Sequence, residues 1–330
     1  MRRYGKNTDE DDIRHRPSRR GSRPRTRIRP KHEDAAEGLV LTVDRGRITC
    51  LVDNRSITAM KARELGRKGV VVGDLVALVG DLTGAKDTLA RVVRVEDRTS
   101  VLRRTADDDD PFERVIVANA DQLAIVTALA DPEPRPRMID RCLVAAYDAG
   151  MEPLLVLTKS DLAPAAPLLE TYAPLGVRTV AVHHHEEPDA VRELLSGLVS
   201  VFVGHSGVGK TTLVNALVPA NQRATGVVNA VTGRGRHTTT SALALPLPDS
   251  DGWVIDTPGV RSFGLHHIDP SRVIHAFPEL QAGTEGCPRA CSHDERDCAL
   301  DAWVAAGHAD PARLDSLRRL LATRERHEGD

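Results

Sequence analysis

Short alternating apolar stretches dominate the part of the chain that follows its N-terminal tail. They give five candidate strands at 38–43, 48–52, 70–72, 75–79 and 89–95, separated by turn residues such as Gly46 and Gly73. Five strands in about 60 residues predict a small β-barrel. An OB-fold is favoured, and an SH3-like barrel fits almost as well. The segment contains no Phe, Trp or Tyr, so any RNA contact here should use charge and shape rather than base stacking.

From residue 115 the pattern changes to buried strands that alternate with amphipathic helices. Strands are expected at 115–118, 123–129, 153–158, 177–182, 199–203 and 253–255, and helices at 138–149, 165–173, 189–195 and 212–217. This alternation predicts an α/β domain built on a parallel, doubly wound sheet. Two further helical stretches, 302–307 and 312–326, follow near the C-terminus.

Composition and charge indicate the cellular compartment of the protein and the classes of partner that it can bind. The 330 residues include no apolar run near the length of a membrane span, and the N-terminus is too charged for a secretory signal. The five cysteines do not resemble a secreted disulfide framework. We therefore expect a cytoplasmic protein with no membrane partner. Residues 1–31 hold twelve Lys or Arg and four acidic residues, a net charge of +8. Such a tail stays disordered, and it either binds nucleic acid or only solubilises the chain.

A complete phosphate loop follows the strand at 199–203. Residues 204–211 match GxxxxGK[ST] and lead into a helix. Backbone N–H groups of such a loop wrap the β-phosphate, Lys210 reaches the β and γ oxygens, and the Thr211 hydroxyl coordinates Mg²⁺. The predicted nucleotide-binding residues of this loop are Gly204, His205, Ser206, Gly207, Val208, Gly209, Lys210, Thr211 and Thr212.

A base-reading motif closes the strand at 153–158. It consists of Thr158, Lys159, Ser160 and Asp161 and resembles the N/TKxD element of GTPases. The Asp161 carboxylate can accept two hydrogen bonds from guanine, whereas adenine lacks both donors on that edge. The motif therefore predicts selection of GTP, and a turn that caps the next helix is the alternative.

A DxxG motif at 256–259 completes the nucleotide site. Asp256 can hold the Mg²⁺ shell through water, and the Gly259 N–H can sense the γ-phosphate. The order of base-reading loop, phosphate loop and DxxG motif is a circular permutation, because ordinary GTPases begin with the phosphate loop. A parallel sheet can be cut and rejoined in this way without changing the pocket. The segment that senses the γ-phosphate then leads directly into the C-terminal region, so switching can move that region.

Four soft metal ligands are crowded near the C-terminus. They are Cys287, Cys291, His293 and Cys298. Three thiolates and one imidazole are a common structural zinc set that leaves no open position for catalysis. A disulfide is the alternative. Cys50 and Cys142 are expected to be buried apolar residues, and the histidines at 183–185 to form a solvated loop.

The permuted motifs, the cysteine cluster, residues 118–122 (Ala-Asn-Ala-Asp-Gln) and residues 234–240 (Arg-Gly-Arg-His-Thr-Thr-Thr) resemble the RsgA (YjeQ/EngC) family of small-ribosomal-subunit-dependent GTPases. The resemblance covers about residues 38–320. It implies an OB domain, a permuted G domain and a zinc domain with one zinc per chain. It also implies GTP hydrolysis stimulated by the small subunit during late assembly, with its rRNA as partner.

The polar segment 223–241 is expected to be switch I. Thr239, or alternatively Thr238, can supply a Mg²⁺ hydroxyl. Val260 follows DxxG, where Ras-like enzymes carry a water-orienting Gln. His237 is the nearest candidate to replace that Gln, as the resemblance also suggests, and a merely solvated histidine is the alternative. The predicted catalytic residues are His237, Lys210 and Thr239.

We therefore expect a monomeric, multidomain GTP hydrolase that acts as a 30S assembly factor, binds rRNA and couples hydrolysis to its release. The expected division is a basic tail at 1–34, an OB domain at 35–98, a permuted G domain at 99–270 and a helical zinc domain at 271–330. A metabolic P-loop kinase does not account for the guanine-reading motif. A P-loop RNA-binding protein with little turnover does not need Lys210, Thr211 and Asp256. The arginines of the last helix, Arg313, Arg318, Arg319, Arg324 and Arg326, form either an RNA contact or a solvated face.

Overall fold

The computed structural model describes residues 32–66, 69–104, 114–183, 186–219, 242–257, 270–289, 291–295 and 297–323. Several predicted features lie outside these ranges. They are the tail at 1–31 and residues His184, His185, His237, Thr238, Thr239, Gly259, Val260, Arg324 and Arg326.

Five strands close a barrel at the N-terminal end of the described chain. They are β1 (Ala36–Asp44), β2 (Arg47–Val52), β3 (Arg55–Lys61), β4 (Leu75–Gly80) and β5 (Ala90–Val95). Their order is β1-β2-β3-β5-β4, and β4 returns to pair with β1. Only the β3–β5 pair among these five strands is parallel. This is the strand order of an OB-fold, so the predicted OB barrel is confirmed.

One of the five predicted barrel strands is wrong. Residues 70–72 form a loop in which Val72 makes an isolated bridge with Val117. The third strand is instead β3, which alternates weakly because only Ile57 and Ala59 of its seven residues are buried. A strand with two inward apolar residues among polar neighbours is hard to distinguish from a loop by pattern alone.

The predicted parallel sheet is confirmed in the α/β region. Its strands are β8 (Gln122–Ala128), β9 (Glu152–Thr158), β10 (Arg178–Val182), β11 (Val199–Val203), β12 (Leu243–Pro246) and β13 (Trp253–Asp256). The order is β10-β9-β8-β11-β13-β12, and β12 alone in this set runs antiparallel to its neighbour. The predicted strand at 115–118 is outside this sheet, because β6 (Val101–Arg104) and β7 (Arg114–Ala118) pair as a separate hairpin.

Four helices of the α/β region pack on the sheet. They are α1 (Pro136–Ala149), α2 (Ala166–Tyr172), α3 (Asp189–Leu195) and α4 (Lys210–Leu217). Proline begins α1 and a left-handed Gly150 ends it, the usual asymmetry of helix termini. Cys142 of α1 is buried here and Cys50 is buried in the barrel, as predicted.

The C-terminal helices share the hydrophobic core of α1. They are α5 (Pro270–Ile274), α6 (Pro278–Gln281), α7 (Ala299–Ala305) and α8 (Pro311–Ala322). Four leucines of α8 belong to the same hydrophobic cluster as Ile139 and Leu143 of α1. None of the helices in the described parts of the chain has the length and apolar character needed to cross a membrane.

The three described arginines of α8 make contacts within the protein, a role that was not predicted for them. Arg313 pairs with Glu279 and lies over the Phe277 ring at 4.6 Å. Arg318 forms two hydrogen bonds with the Asp301 carboxylate, at 2.9 and 2.8 Å. Arg319 faces Asp140 of α1. The basic character of this helix therefore stabilises the fold.

Candidate nucleotide site and metal centre

The three predicted nucleotide motifs converge at one edge of the parallel sheet. The base-reading loop follows β9, the phosphate loop follows β11, and the DxxG motif begins at the end of β13. Since β9, β8, β11 and β13 are neighbouring parallel strands, their C-terminal ends lie side by side. Ligands of open α/β sheets bind at this edge.

The phosphate loop has the backbone conformation that its glycines allow. Gly207 and Gly209 adopt left-handed φ angles of 85° and 84°. Gly204 passes so close to β8 that a Cβ atom there would lie 2.5 Å from the Val126 carbonyl oxygen. Gly209 caps the N-terminus of α4, while Thr211 and Thr212 in its first turn are exposed. The free N–H groups of this turn and the helix dipole make it suited to bind phosphate.

Lys210 connects the phosphate loop to the DxxG motif. Its ammonium group contacts the Asp256 carboxylate and lies 3.4 Å from the Thr257 carbonyl oxygen. The Thr257 hydroxyl donates a 2.7 Å hydrogen bond to the carbonyl of Phe202 on β11. Lys210, which is predicted to bind phosphate, and Asp256, which is predicted to hold the Mg²⁺ shell, are therefore in direct contact.

The base-reading loop is attached to its neighbours by polar contacts. The Thr158 hydroxyl donates a 2.6 Å hydrogen bond to the Val208 carbonyl of the phosphate loop. The same hydroxyl lies 3.3 Å from the Thr127 carbonyl oxygen. The Lys159 ammonium donates to the Asp131 carbonyl. The Ser160 N–H donates to the Val182 carbonyl at 3.3 Å, so the end of β10 supports the loop. Asp161 is exposed.

The four predicted zinc ligands meet in space. Their ligand atoms all lie within 4.8 Å of one another, so the group can hold a metal ion. The Cys287 sulfur is 3.8 Å from His293 Nδ1 and 4.0 Å from the Cys298 sulfur. The distance between His293 Nδ1 and the Cys298 sulfur is 3.9 Å. A tetrahedral site with metal–sulfur bonds of about 2.3 Å has ligand separations of about 3.8 Å. The geometry therefore fits such a site.

The surroundings of the cluster affect its imidazole and its thiols in different ways. Burial lowers the pKa of His293, which keeps the imidazole in the neutral form that binds metals. Burial, with the Glu295 carboxylate 3.1 Å away, raises the pKa of the Cys291 thiol to about 12. A bound cation lowers the pKa of a coordinating thiol and offsets this effect.

The residues that support these sites were not predicted from the sequence. Arg318 of α8 donates a 2.8 Å hydrogen bond to the His293 carbonyl and also pairs with Asp301 of α7. It thereby fixes the metal loop to two helices. Asp131 contributes its backbone carbonyl and Thr257 its hydroxyl. Neither contact could be predicted from the sequence, because nothing in the pattern marks these residues except that Thr257 lies within the DxxG motif.

Comparisons with known proteins agree with this geometry. A family model described as RsgA GTPase matches residues 95–266. The chain is 37% identical over 268 residues to a "Small ribosomal subunit biogenesis GTPase RsgA" of Gemmatimonas aurantiaca, covering 79% of this chain and 86% of that protein. It is 41% identical over 236 residues to a protein of the same name from Pseudomonas syringae, covering 68% of each.

Two solved structures have a similar fold. The crystal structure of YjeQ from Thermotoga maritima superimposes with a TM-score of 0.64 at 26% identity, covering 88% of this chain and 98% of that one. The crystal structure of YloQ, described as a circularly permuted GTPase, gives a TM-score of 0.62 at 20% identity, covering 90% and 98%. At 20% identity, the similarity to YloQ supports the fold alone.

Proposed function

Because the chain belongs to the RsgA GTPase family, we propose that it hydrolyses GTP as a biogenesis factor of the small ribosomal subunit. In this role it binds the rRNA of the subunit, and hydrolysis of GTP to GDP releases it. The observation that carries the proposal is the meeting of Lys210 and Asp256 beside the base-reading loop, with the motifs in permuted order.

Each motif then has a defined task. The backbone of 204–209 and the first turn of α4 hold the phosphates, and Lys210 neutralises charge on the β and γ oxygens. Asp161 accepts the guanine N–H donors at the exposed end of its loop. Thr158 joins this loop to the phosphate loop through the Val208 carbonyl. The sites for the base and for the phosphates are therefore held at a fixed distance from each other.

Thr211, Thr239 and Asp256 are the residues that we assign to Mg²⁺, the last through water. Thr211 is exposed in the first turn of α4, and Asp256 lies against Lys210 at the end of β13. Both residues carry oxygen atoms, the ligands that Mg²⁺ prefers, next to the predicted triphosphate site. Bound Mg²⁺ would neutralise charge on the phosphate oxygens. His237 is assigned to orient the attacking water, since Val260 has no group that can do so.

We assign zinc to the Cys287, Cys291, His293 and Cys298 cluster, because three thiolates and an imidazole at these separations suit zinc better than a hard cation. The site is structural, since four protein ligands fill a tetrahedral sphere. The proposed domain limits are 35–98 for the barrel, 99–270 for the G domain and 271–330 for the zinc domain.

Nucleotide binding tests the guanine assignment. The protein should bind GTP and GDP far more tightly than ATP, and Asp161→Asn should lose GTP affinity by about tenfold or more, as expected when the two hydrogen bonds from guanine to the carboxylate are broken. The same variant should gain affinity for XTP, because the Asn amide can donate to the 2-oxo group of xanthine. Equal affinity for GTP and ATP would instead support a metabolic kinase.

Phosphate release tests the ribosomal assignment. Turnover of GTP should be slow in the free protein and should rise when purified small subunits are added, but not when large subunits are added. Co-sedimentation should be stronger with a non-hydrolysable GTP analogue than with GDP. Subunit binding without any stimulated phosphate release would favour an RNA-binding protein with little turnover.

A further inference from the structure

The first barrel strand is shared between the barrel and the sheet that carries the nucleotide site. Besides β2 and β4, β1 pairs with β12, where Thr42 faces Leu243. The Thr42 hydroxyl also donates a 3.1 Å hydrogen bond to the Ala242 carbonyl. On the other side of β12, Leu243 is paired with Asp256 of β13. A single row of residues therefore runs from Thr42 of the barrel to the carboxylate that contacts Lys210.

A β-bulge allows β1 to belong to both parts. The pairing of β1 with β2 shifts register between Val40 and Thr42, which leaves Leu41 as the extra residue. Val40 is buried in the barrel core, whereas Leu41 is buried in the hydrophobic cluster of the α/β region. Bulges bend a strand and redirect its side chains. Here the bulge fixes the barrel to the neighbouring core next to Thr42.

The loop before β4 makes a second contact between the barrel and the α/β region. Within the barrel segment, the fully buried Asp74 accepts two hydrogen bonds from Arg98, at 2.7 and 2.9 Å, which hold this loop in place. The Asn119 side chain donates a 2.9 Å hydrogen bond to the Gly73 carbonyl. Gly73 has a φ of 86°, and a Cβ atom there would lie 2.0 Å from the Ala118 carbonyl oxygen. The close approach requires glycine, so the two parts are tightly apposed.

We propose that Thr42 is a positioning residue for GTP hydrolysis, through which the barrel holds the strand pair β12–β13 and hence Asp256 in place. The Thr42 row attaches the barrel directly to this strand pair, whereas the contact between Asn119 and Gly73 attaches it to the loop before β8. A force on the barrel therefore reaches the Asp256 row through Thr42. Ala242 directly follows the predicted switch I in sequence, so the Thr42 bond also fixes the point at which the chain re-enters the sheet. The inference rests on the proposed function, in which the small subunit is the stimulating partner.

Three variants of the full-length protein test the proposal. Thr42→Val removes the hydroxyl at nearly constant shape, and Thr42→Ser restores it. Thr58→Val is the matched control, because it makes the same change on β3, whose partners are β2 and β5. Thr42→Val should lower the subunit-stimulated kcat by about two- to tenfold, the range that one hydrogen bond corresponds to. GTP affinity and Tm should stay near wild type, and Thr42→Ser should recover the rate.

Hydrogen exchange gives a readout that does not depend on the ribosome. In Thr42→Val, amides of 243–256 should exchange faster than in wild type or Thr58→Val. Unchanged exchange in this segment, or a stimulated rate equal to that of wild type, would overturn the proposal. An equal loss of rate in Thr58→Val, or a parallel fall in Tm, would show a merely structural role and overturn it as well. If subunits fail to stimulate the wild type, the proposed function fails, and the exchange measurement alone decides this inference.

Discussion

Thr158 occupies the position that Asn more often takes in the base-reading motif, and its contacts explain why a hydroxyl suffices. The group is buried and donates to the Val208 carbonyl, 50 residues further along the chain. Its task is to attach one loop to the other, which needs one donor of the right length. The motif is visible in the sequence, but this contact is not, because it depends on two loops that meet only in the folded sheet.

Replacing this hydroxyl should weaken the binding of GTP without unfolding the protein. Thr158→Val keeps the shape of the side chain but leaves the Val208 carbonyl without its 2.6 Å donor. The net effect of one such bond is about 1 kcal/mol, so GTP affinity should fall about fivefold. Isothermal titration with GTP and GDP measures this, with Thr158→Ser as the control that should recover the affinity. Wild-type affinity in the Val variant would show that the two loops are held together by other contacts.

His237→Ala should separate stimulated from unstimulated turnover. Val260 cannot orient water, and we assign that task to His237 of the predicted switch I once the subunit is bound. The variant should bind GTP and the subunit normally and keep its slow intrinsic rate. It should lose about tenfold to a thousandfold of the stimulated kcat, or roughly 1.4–4 kcal/mol of transition-state stabilisation. Single-turnover hydrolysis with saturating subunits measures this, and a full stimulated rate would assign the water to another group.

Elements with a strong pattern could be predicted to the residue, and weakly patterned ones could not. The strand at 199–203 and the helix at 189–195 have the predicted limits, because a mostly apolar, Val-rich run and a clear helical period mark them. In contrast, β6 and β12 have four residues each, too few to show a period. The loop at 70–72 is apolar because it lies against the neighbouring core, where Val72 is buried, and not because it forms a strand.

Removing the metal should release the C-terminal element from 287 to 305 while leaving nucleotide binding largely intact. The cluster joins the loop at 287–298 to the start of α7, and few apolar residues of this part are buried. The leucines of α8 pack on α1 and hold that helix separately. Elemental analysis should find one zinc per chain. Chelation, or His293→Ala, should lower Tm and expose 287–305 to proteolysis.

His275→Ala is the control for this change, because His275 is an exposed histidine outside the cluster. It should keep the zinc content and the Tm of the wild type. Protein purified without chelators that contains no zinc would contradict the assignment. Loss of GTP binding on chelation would mean that the cluster also supports the nucleotide site.

At the scale of the whole molecule, the described barrel, the nucleotide sheet and the C-terminal helices are joined by specific contacts. The order of the motifs predicted the permuted G domain, and the cysteine spacing predicted the metal cluster. The joints could not be predicted, because a bulge at Leu41 and the ion pair between Arg319 and Asp140 have no period or motif. For the same reason the sequence did not indicate the partners of the α8 arginines, although the three in the described chain make contacts within the protein.

The joint between α1 and α8 should make stability depend on pH. Asp140 is buried in α1, and Arg319 Nε lies 3.3 Å from its carboxylate without forming a hydrogen bond. The Arg319 guanidinium also lies over the Tyr172 ring, at 5.2 Å. Burial raises the pKa of Asp140 to about 6, and the Arg319 charge only partly opposes it. Ionising this carboxyl group therefore costs more in the folded protein than in the unfolded chain, where the pKa is about 3.9.

The sign of the effect follows from that difference. Since the folded state has the higher pKa, the contribution of Asp140 to stability is fully present below about pH 4 and is lost as the pH rises through about 6. Asp140→Asn cannot titrate, so the free energy of unfolding of the wild type minus that of the variant should increase by about 1 kcal/mol between pH 7.5 and pH 5. Urea unfolding of both proteins at both pH values measures this. Titration of His293 and the other groups is common to both proteins and cancels in the difference. An unchanged difference would mean that Arg319 keeps Asp140 ionised at both pH values, and the joint would then be a permanent ion pair.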